Sequence, residues 1–202
     1  MANSSEVYVV DDDDAIRRSL TFLLKTSGHS VRTFESAEAF LAEARDLAKG
    51  CVISDVRMPG IDGIELVRRL AAERLPLSVI VITGHGDIAL AVEAMKAGAV
   101  DFLEKPFKED VLLAAVQKAL NSETRDQQDE SDRQRYRAAF AGLSKREREV
   151  LEQVVTGKTS KIIAYDLGIS PRTVEVYRAG MMMKTGAKSL SELVRMALLA
   201  GL

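Results

Sequence analysis

The feature that most restricts the fold is an alternation of two periodicities that starts at residue 7 and stops near residue 120. "VYVV" (7–10), "SVRTF" (30–34), "CVISDV" (51–56), "SVIVIT" (78–83) and "VDFLEK" (100–105) are short β-branched runs of the kind that form strands. Between them the apolar spacing is helical. In "AIRRSLTFLLKTSG", Ile16, Leu20, Leu23 and Leu24 fall at i, i+4, i+7 and i+8, and Gly28 is placed to end the helix in the left-handed conformation. "IDGIELVRRLAAERLP" ends at Pro76, "DIALAVEAMKAGA" ends near Gly98, and a helix over 108–120 closes the unit. Five strands alternating with five helices, the strands apolar enough to be covered on both faces, predict an α/β domain with a doubly wound five-stranded parallel sheet over residues 1–120.

The pattern then changes. Residues 121–141 are polar, charged and almost without aliphatic periodicity, and they read as a linker with helical potential. From 142 to 202 the β signals are gone. "SKREREVLEQVVTG" opens with Ser144 and Glu147 spaced as a capping box, and "SLSELVRMALLAG" repeats the spacing with Ser189 and Glu192. "KTSKIIAYDLG" is a short helix closing at Gly168, and "SPRTVEVYRAGMMMKT" begins with Ser170 as N-cap and Pro171 at the first helical position. This is a small all-α, four-helix domain with helix–turn–helix spacing.

Charge divides the same way. Residues 142–202 hold ten Lys/Arg against six Asp/Glu, a net +4, while residues 1–141 hold 18 against 24, a net −6. A basic second half is suited to nucleic acid. No run approaches the roughly 18 apolar residues of a membrane span, and "MANSSEVYVV" has neither the basic start nor the apolar core of a secretory signal. Cys51, the single cysteine, reads as a buried thiol suited to a reducing cytoplasm, and with His29 and His85 the only histidines a zinc site is not expected.

In an open parallel sheet, ligands bind beyond the carboxyl ends of the strands. Asp11 and Asp12 leave the first strand there, Asp55 ends the third, Thr83 the fourth and Lys105 the fifth. Oxygen ligands from the three aspartates, completed by waters, suit Mg²⁺, with Mn²⁺ as a substitute. The set leaves Asp55 able to attack phosphorus, Lys105 able to stabilise the transferring group and Thr83 able to bond a phosphoryl oxygen. Asp13 and Asp14 are assigned differently, to the head of the following helix, where the dipole favours anions.

The order "VVDDD…SDVRMPGIDG…VITGHGD…GAVDFLEKPF" resembles the receiver domain of two-component response regulators, a flavodoxin-like fold, over about residues 5–120. The resemblance implies that Asp55 is phosphorylated and that Asp11, Asp12 and the backbone carbonyl of Arg57 join it around Mg²⁺. It implies that Lys105–Pro106 is cis, that Thr83 is the switch hydroxyl and that Phe102 stands at the aromatic switch position. A metal-dependent phosphatase with an aspartyl nucleophile is the rival, but such enzymes place an acid two residues after the nucleophile, where this chain has Arg57.

Residues from about 140 to 202 resemble the LuxR/NarL-type DNA-binding domain. Over 171–185, Val174, Tyr177 and Met181 share the face expected to pack inward; Arg172, Glu175, Val176, Ala179 and Met183 lie opposite, toward the major groove. Glu175, Val176 and Ala179 match base-reading positions of related domains, Glu175 toward a cytosine amino group and Val176 toward a thymine methyl. Lys161, Arg172, Thr173, Lys184 and Lys188 are the candidates for phosphate contacts. Gly180 costs this helix about 1 kcal/mol relative to Ala. Met181 is assigned to the core, Met182 and Met183 to the surface. A helical protein-interaction module is the alternative for this half.

Together the two halves resemble response regulators of the FixJ type. That resemblance implies a phosphorylation-activated transcriptional regulator, not a turnover enzyme, with a sensor histidine kinase, double-stranded DNA and RNA polymerase as partners, no membrane partner and a cytoplasmic location. It implies a homodimer formed on phosphorylation through the fourth helix and fifth strand, about 87–103, with Val92 and Lys96 as candidate interface residues. The alternative is a DNA-binding protein whose receiver dimerises it independently of phosphorylation.

Overall fold

Strands β1 (Glu6–Val10), β2 (Ser30–Phe34), β3 (Gly50–Asp55), β4 (Leu77–Thr83) and β5 (Asp101–Glu104) form one sheet in the order β2-β1-β3-β4-β5, every neighbouring pair parallel. The computed structural model describes residues 6–84, 88–121 and 125–202, with the backbone alone for 88 and 125–131. His85, Gly86 and Asp87 of the "TGHGD" stretch, and residues 122–124 of the expected linker, lie outside the described residues. Parallel strands cannot be joined by tight hairpins, and the crossovers are α1 (Asp14–Thr26), α2 (Ala37–Glu43), α3 (Gly63–Ala72) and α4 (Ile88–Ala97), with α5 (Glu109–Leu120) after β5.

The chain falls into two compact units, Met1–Gly86 with Lys96–Ser122, and Asp87–Met95 with Glu123–Leu202. In the first, the pleat of β1 alternates as a covered strand must. Val7 and Val9 join Leu20, Leu24, Ile53, Ile80, Leu112 and Val116 in one apolar cluster, while Tyr8 meets Phe40 of α2 edge to face at 6.0 Å. All six residues of β3 are buried, as the sequence predicts for a central parallel strand. The same expectation fails at β2, where Arg32 and Thr33 are exposed. This strand has a neighbour on one side only, and Arg32 turns outward to Glu43 at 2.6 Å. The strand order places a switch point between β1 and β3, so a crevice opens beyond their carboxyl ends.

The second unit contains α6 (Arg125–Ala141), α7 (Lys145–Val154), α8 (Ser160–Leu167), α9 (Pro171–Thr185) and α10 (Leu190–Ala200). Ser144 and Glu147 form the full reciprocal capping box at α7. At α10 half of that device is present: Ser189 accepts from the Glu192 N–H, whereas the Glu192 carboxylate accepts from Lys188, one residue earlier. Gly168 ends α8 at φ 65°, and Ser170 caps α9 with Pro171 next to it. Val174 and Met181 are fully buried and Tyr177 packs partly against the same cluster, as the spacing predicts.

Within the stretch expected as a linker with helical potential, Tyr136 and Phe140, four apart on α6, are buried with Leu193, Val194 and Met196 of α10, so the apolar cluster of the helical unit includes residues before 142. The surface assignment of Met182 is corrected: Met182 is half-buried against the cluster and only Met183 stands fully exposed, because the apolar stripe of α9 is wider than three positions.

Candidate functional site

The crevice at the β1/β3 switch point gathers the residues expected there. Asp55 is the last residue of β3, Asp11 the first after β1, and Lys105 follows β5 directly. The Lys105 Nζ lies 2.7 Å from Asp55 Oδ1 and 3.3 Å from Asp11 Oδ2. Asp11 and Asp55 are both buried, at 1% and 8% exposure. The second oxygens are held by backbone: Asp11 Oδ1 accepts from the Asp13 N–H at 2.9 Å, and Asp55 Oδ2 from the Arg57 N–H at 2.7 Å.

The electrostatics follow from burying two acids with one base. Burial pushes the Asp11 carboxyl up, and the Asp13 N–H and Lys105 only partly counteract it. For Lys105, burial alone would lower the ammonium, but its hydrogen bond and charge attraction to Asp55, then Asp11, outweigh burial and raise it. The site is therefore short of positive charge even with Lys105 in place.

Around these groups, Thr83 is buried at the end of β4, and its carbonyl accepts from the Lys105 N–H at 2.7 Å. Lys105–Pro106 is cis. Phe102 is buried on β5, and Asp12, next to Asp11, is exposed. Asp13 and Asp14 belong to α1: Asp13 is its N-cap, accepting from the Ala15 N–H at 2.8 Å, and Asp14 pairs with Arg17 and Arg18.

Among the described residues, no three acidic, histidine or cysteine side chains stand close enough to enclose a metal ion. Mg²⁺ does not require such a cage, because it takes one or two protein carboxylates and keeps several waters. The Asp11–Asp55 pair and the adjacent Arg57 loop fit that demand, and the uncompensated burial of Asp11 favours a divalent cation.

Two features of the site escaped the sequence. A Cβ on Gly63 would lie 2.1 Å from the Asp55 carbonyl oxygen, so only glycine lets α3 start against the end of β3. Glu38 of α2 accepts from the Ile61 N–H at 2.7 Å and holds the loop that follows Asp55. The "GIDG" spacing of Gly60 and Gly63 was the one available sign of a tight passage.

In the second unit, Lys161, Arg172, Glu175, Val176, Ala179, Met183, Lys184 and Lys188 are exposed, and Thr173 is half-buried. Several are already engaged. Lys184 lies 2.6 Å from the buried carboxylate of Glu147, and Thr173 bonds Ser170 at the start of α9. A Cβ on Gly180 would stand 3.2 Å from the Glu147 carboxylate, a tight contact with the end of a side chain. Glu175 bonds Ser160 of α8 and Arg178 one turn on. Arg178, which the sequence reading passed over, is buried at 8% exposure. Its place one turn after Val174 on the inward stripe was the available signal. Val92 does not present the exposed apolar patch expected of it: it is 4% exposed, within the cluster of the second unit, while Lys96 is exposed.

A parallel sheet with two buried acids and a lysine at its switch point, and a separate helix–turn–helix unit, together define a regulator with a receiver and a DNA-binding output. The family comparisons agree, matching the response regulator receiver domain over residues 7–117 and the bacterial regulatory proteins, luxR family, over 141–197. The transcriptional regulatory protein FixJ of Azorhizobium caulinodans is 56% identical over 201 residues, covering 100% of this chain and 95% of that protein. The FixJ of Bradyrhizobium diazoefficiens is 51% identical over 202 residues, covering 100% and 98%. Among solved structures, full-length FixJ from B. japonicum is 52% identical, with TM-score 0.58, covering 98% of this chain and 97% of that one. The chain belongs to the two-component response regulators of the FixJ type, transcription regulators that respond to phosphorylation. Among the described residues no helix is long and apolar enough to cross a membrane.

Proposed function

We propose that Asp55 accepts a phosphoryl group from a sensor histidine kinase with Mg²⁺ as cofactor, and that the phosphorylated chain dimerises and binds double-stranded DNA through α9. The observation that carries this reading is the Lys105 ammonium bridging Asp55 at 2.7 Å and Asp11 at 3.3 Å in a buried crevice. Asp11, Asp12, Asp55 and the Arg57 carbonyl are the residues that would hold the ion. When bound, Mg²⁺ supplies charge neutralisation for the transferring phosphoryl oxygens.

The chain's own groups supply the rest. A carboxylate oxygen of Asp55 forms the new O–P bond as the N–P bond of the donor phosphohistidine breaks, the imidazole nitrogen keeping the electron pair. The Arg57 N–H holds the other Asp55 oxygen and so orients the nucleophile. Lys105, already bonded to Asp55, is placed to follow the charge onto a phosphoryl oxygen, and the Thr83 hydroxyl to bond another. Phe102, with a ring and no hydroxyl, couples to this event by packing. Dimerisation then uses the α4–β5 region, with Lys96 as its exposed charge, and two copies present two α9 helices to two half-sites in concert with RNA polymerase. This is a cytoplasmic protein, and its chemistry ends at its own phosphorylation and dephosphorylation.

The test is labelling of the full chain by radiolabelled acetyl phosphate with Mg²⁺, comparing wild type with Asp55→Asn. An acid-stable, alkali-labile label should be present in wild type and absent from the variant. Label persisting in Asp55→Asn would move the acceptor elsewhere.

A further inference from the structure

Glu175 poses a physical problem on a surface meant for DNA. A carboxylate on that face is repelled by the phosphates, so it can read a base only if its charge is balanced and its rotamer held. The structure supplies both from beneath. Glu175 Oε1 accepts from the Ser160 hydroxyl at 2.5 Å and from Arg178 Nη1 at 2.8 Å, and Arg178 Nη1 also donates to Ser160 Oγ. Ser160 is the first residue of α8, so this triangle ties the two helices of the helix–turn–helix together at the base of Glu175.

Arg178 is unusual within it. Its side chain is 9% exposed and its Nε is buried with no hydrogen-bond partner among the described residues. A guanidinium that serves DNA phosphates stays at the surface, where all its donors are usable. Burying one with a donor unpaired is costly, and the ion pair to Glu175 is what it gains.

We propose that Arg178 is a positioning residue for base reading: with Ser160 it neutralises and orients Glu175, leaving Glu175 Oε2 to accept from a cytosine amino group, and it does not contact the DNA backbone. This rests on the reading of α9 as the DNA-recognition helix. The hydrogen bond from Ser160, and the charge of Arg178, hold the Glu175 carboxyl below its ordinary value against the opposing effect of burial, so it stays an acceptor.

The experiment uses the full phosphorylated chain. Wild-type protein selects its preferred duplex from a random-sequence library. Binding to that duplex, to versions changed at each C·G pair, and to a scrambled duplex is then measured for wild type, Arg178→Ala, Arg178→Lys and Ser160→Ala at several salt concentrations. Arg178→Ala should lower the ratio of selected to scrambled affinity about tenfold. The loss should appear at one C·G pair that wild type discriminates. Scrambled-duplex affinity and the slope of log affinity against log salt should not change. Arg178→Lys should recover part of the ratio. Ser160→Ala, a change at the half-buried helix end, should lower the ratio less and at the same base pair, so the inference does not depend on the fold of the Arg178 variant. An unchanged ratio in all three variants overturns it, as does a salt slope shallower by about one in Arg178→Ala, the mark of a lost phosphate contact. If wild type selects no duplex, the reading of α9 as a recognition helix falls instead.

Discussion

At the scale of single residues, one lysine ammonium bonds two buried acids, and the proposed phosphoryl transfer draws on the same three groups. Removing it leaves Asp11 and Asp55 without their shared ammonium and, on the proposed function, removes the group that would follow the charge onto the phosphoryl oxygens. We expect Lys105→Ala to slow labelling by acetyl phosphate about a hundredfold, while still leaving a label on Asp55. The rate of acid-stable label formation checks this. A second residue-scale prediction concerns Glu147, whose carboxyl is held below its ordinary value first by its hydrogen bond from Lys184 and then by Ser144, against burial. A group with a depressed native value contributes stability above its unfolded value and loses it as pH falls through the native one. The helical unit should therefore lose stability below about pH 4.3, the ordinary glutamate value. Glu147→Gln should flatten that part of the curve, as measured by denaturation at pH 3 to 6. Asp11, Asp55 and Lys105 were legible because each polar residue ends a strand of one parallel sheet. Arg178 and Ser160 were not, since their meeting depends on how α8 crosses α9.

At the scale of elements, two junctions carry the site and the core. The start of α3 lies so close to β3 that a Gly63 Cβ would fall 2.1 Å from a backbone oxygen, which cannot rotate away. Gly63→Ala should destabilise the receiver by about 1–3 kcal/mol in urea denaturation and reduce labelling with it, since Asp55 must move with its own carbonyl. In the other unit, the described side chains that anchor α6 are Tyr136 and Phe140 in the apolar core and Arg137, whose Nε donates to the Ala200 carbonyl, within a polar sequence. Phe140→Ala should cost about 3 kcal/mol. A fragment beginning at residue 142 should melt below one beginning at 125, whereas a plain linker would leave the two alike. The strands were read to within one residue because β-branched runs and period-2 burial agree there. The role of α6 was hidden because two aromatics four apart among charges give too narrow a stripe to register as amphipathic.

At the scale of the whole molecule, the charge division, net −6 over residues 1–141 and +4 over 142–202, is consistent with the two ionic partners proposed for the halves. The acidic half should be stabilised by a divalent cation through its crevice. Millimolar Mg²⁺ should raise the melting temperature of the receiver transition, and Asp11→Asn should abolish the rise in calorimetry. The basic half should bind DNA with a steep salt dependence, and Lys161→Ala should make the slope shallower by about one without changing base preference. The β/α alternation, the polar strand ends, the caps at Ser144 and Ser170 and the inward stripe of α9 were all determined by the sequence. Each is a local or periodic property, expressed wherever the chain folds. Tertiary structure alone decided that Gly63 must have no side chain, that Val92 is buried and that α6 belongs to a core. It also decided that Glu175 rests on a buried arginine. Those facts depend on which atoms meet across elements far apart in the chain, and close packing, not periodicity, sets that.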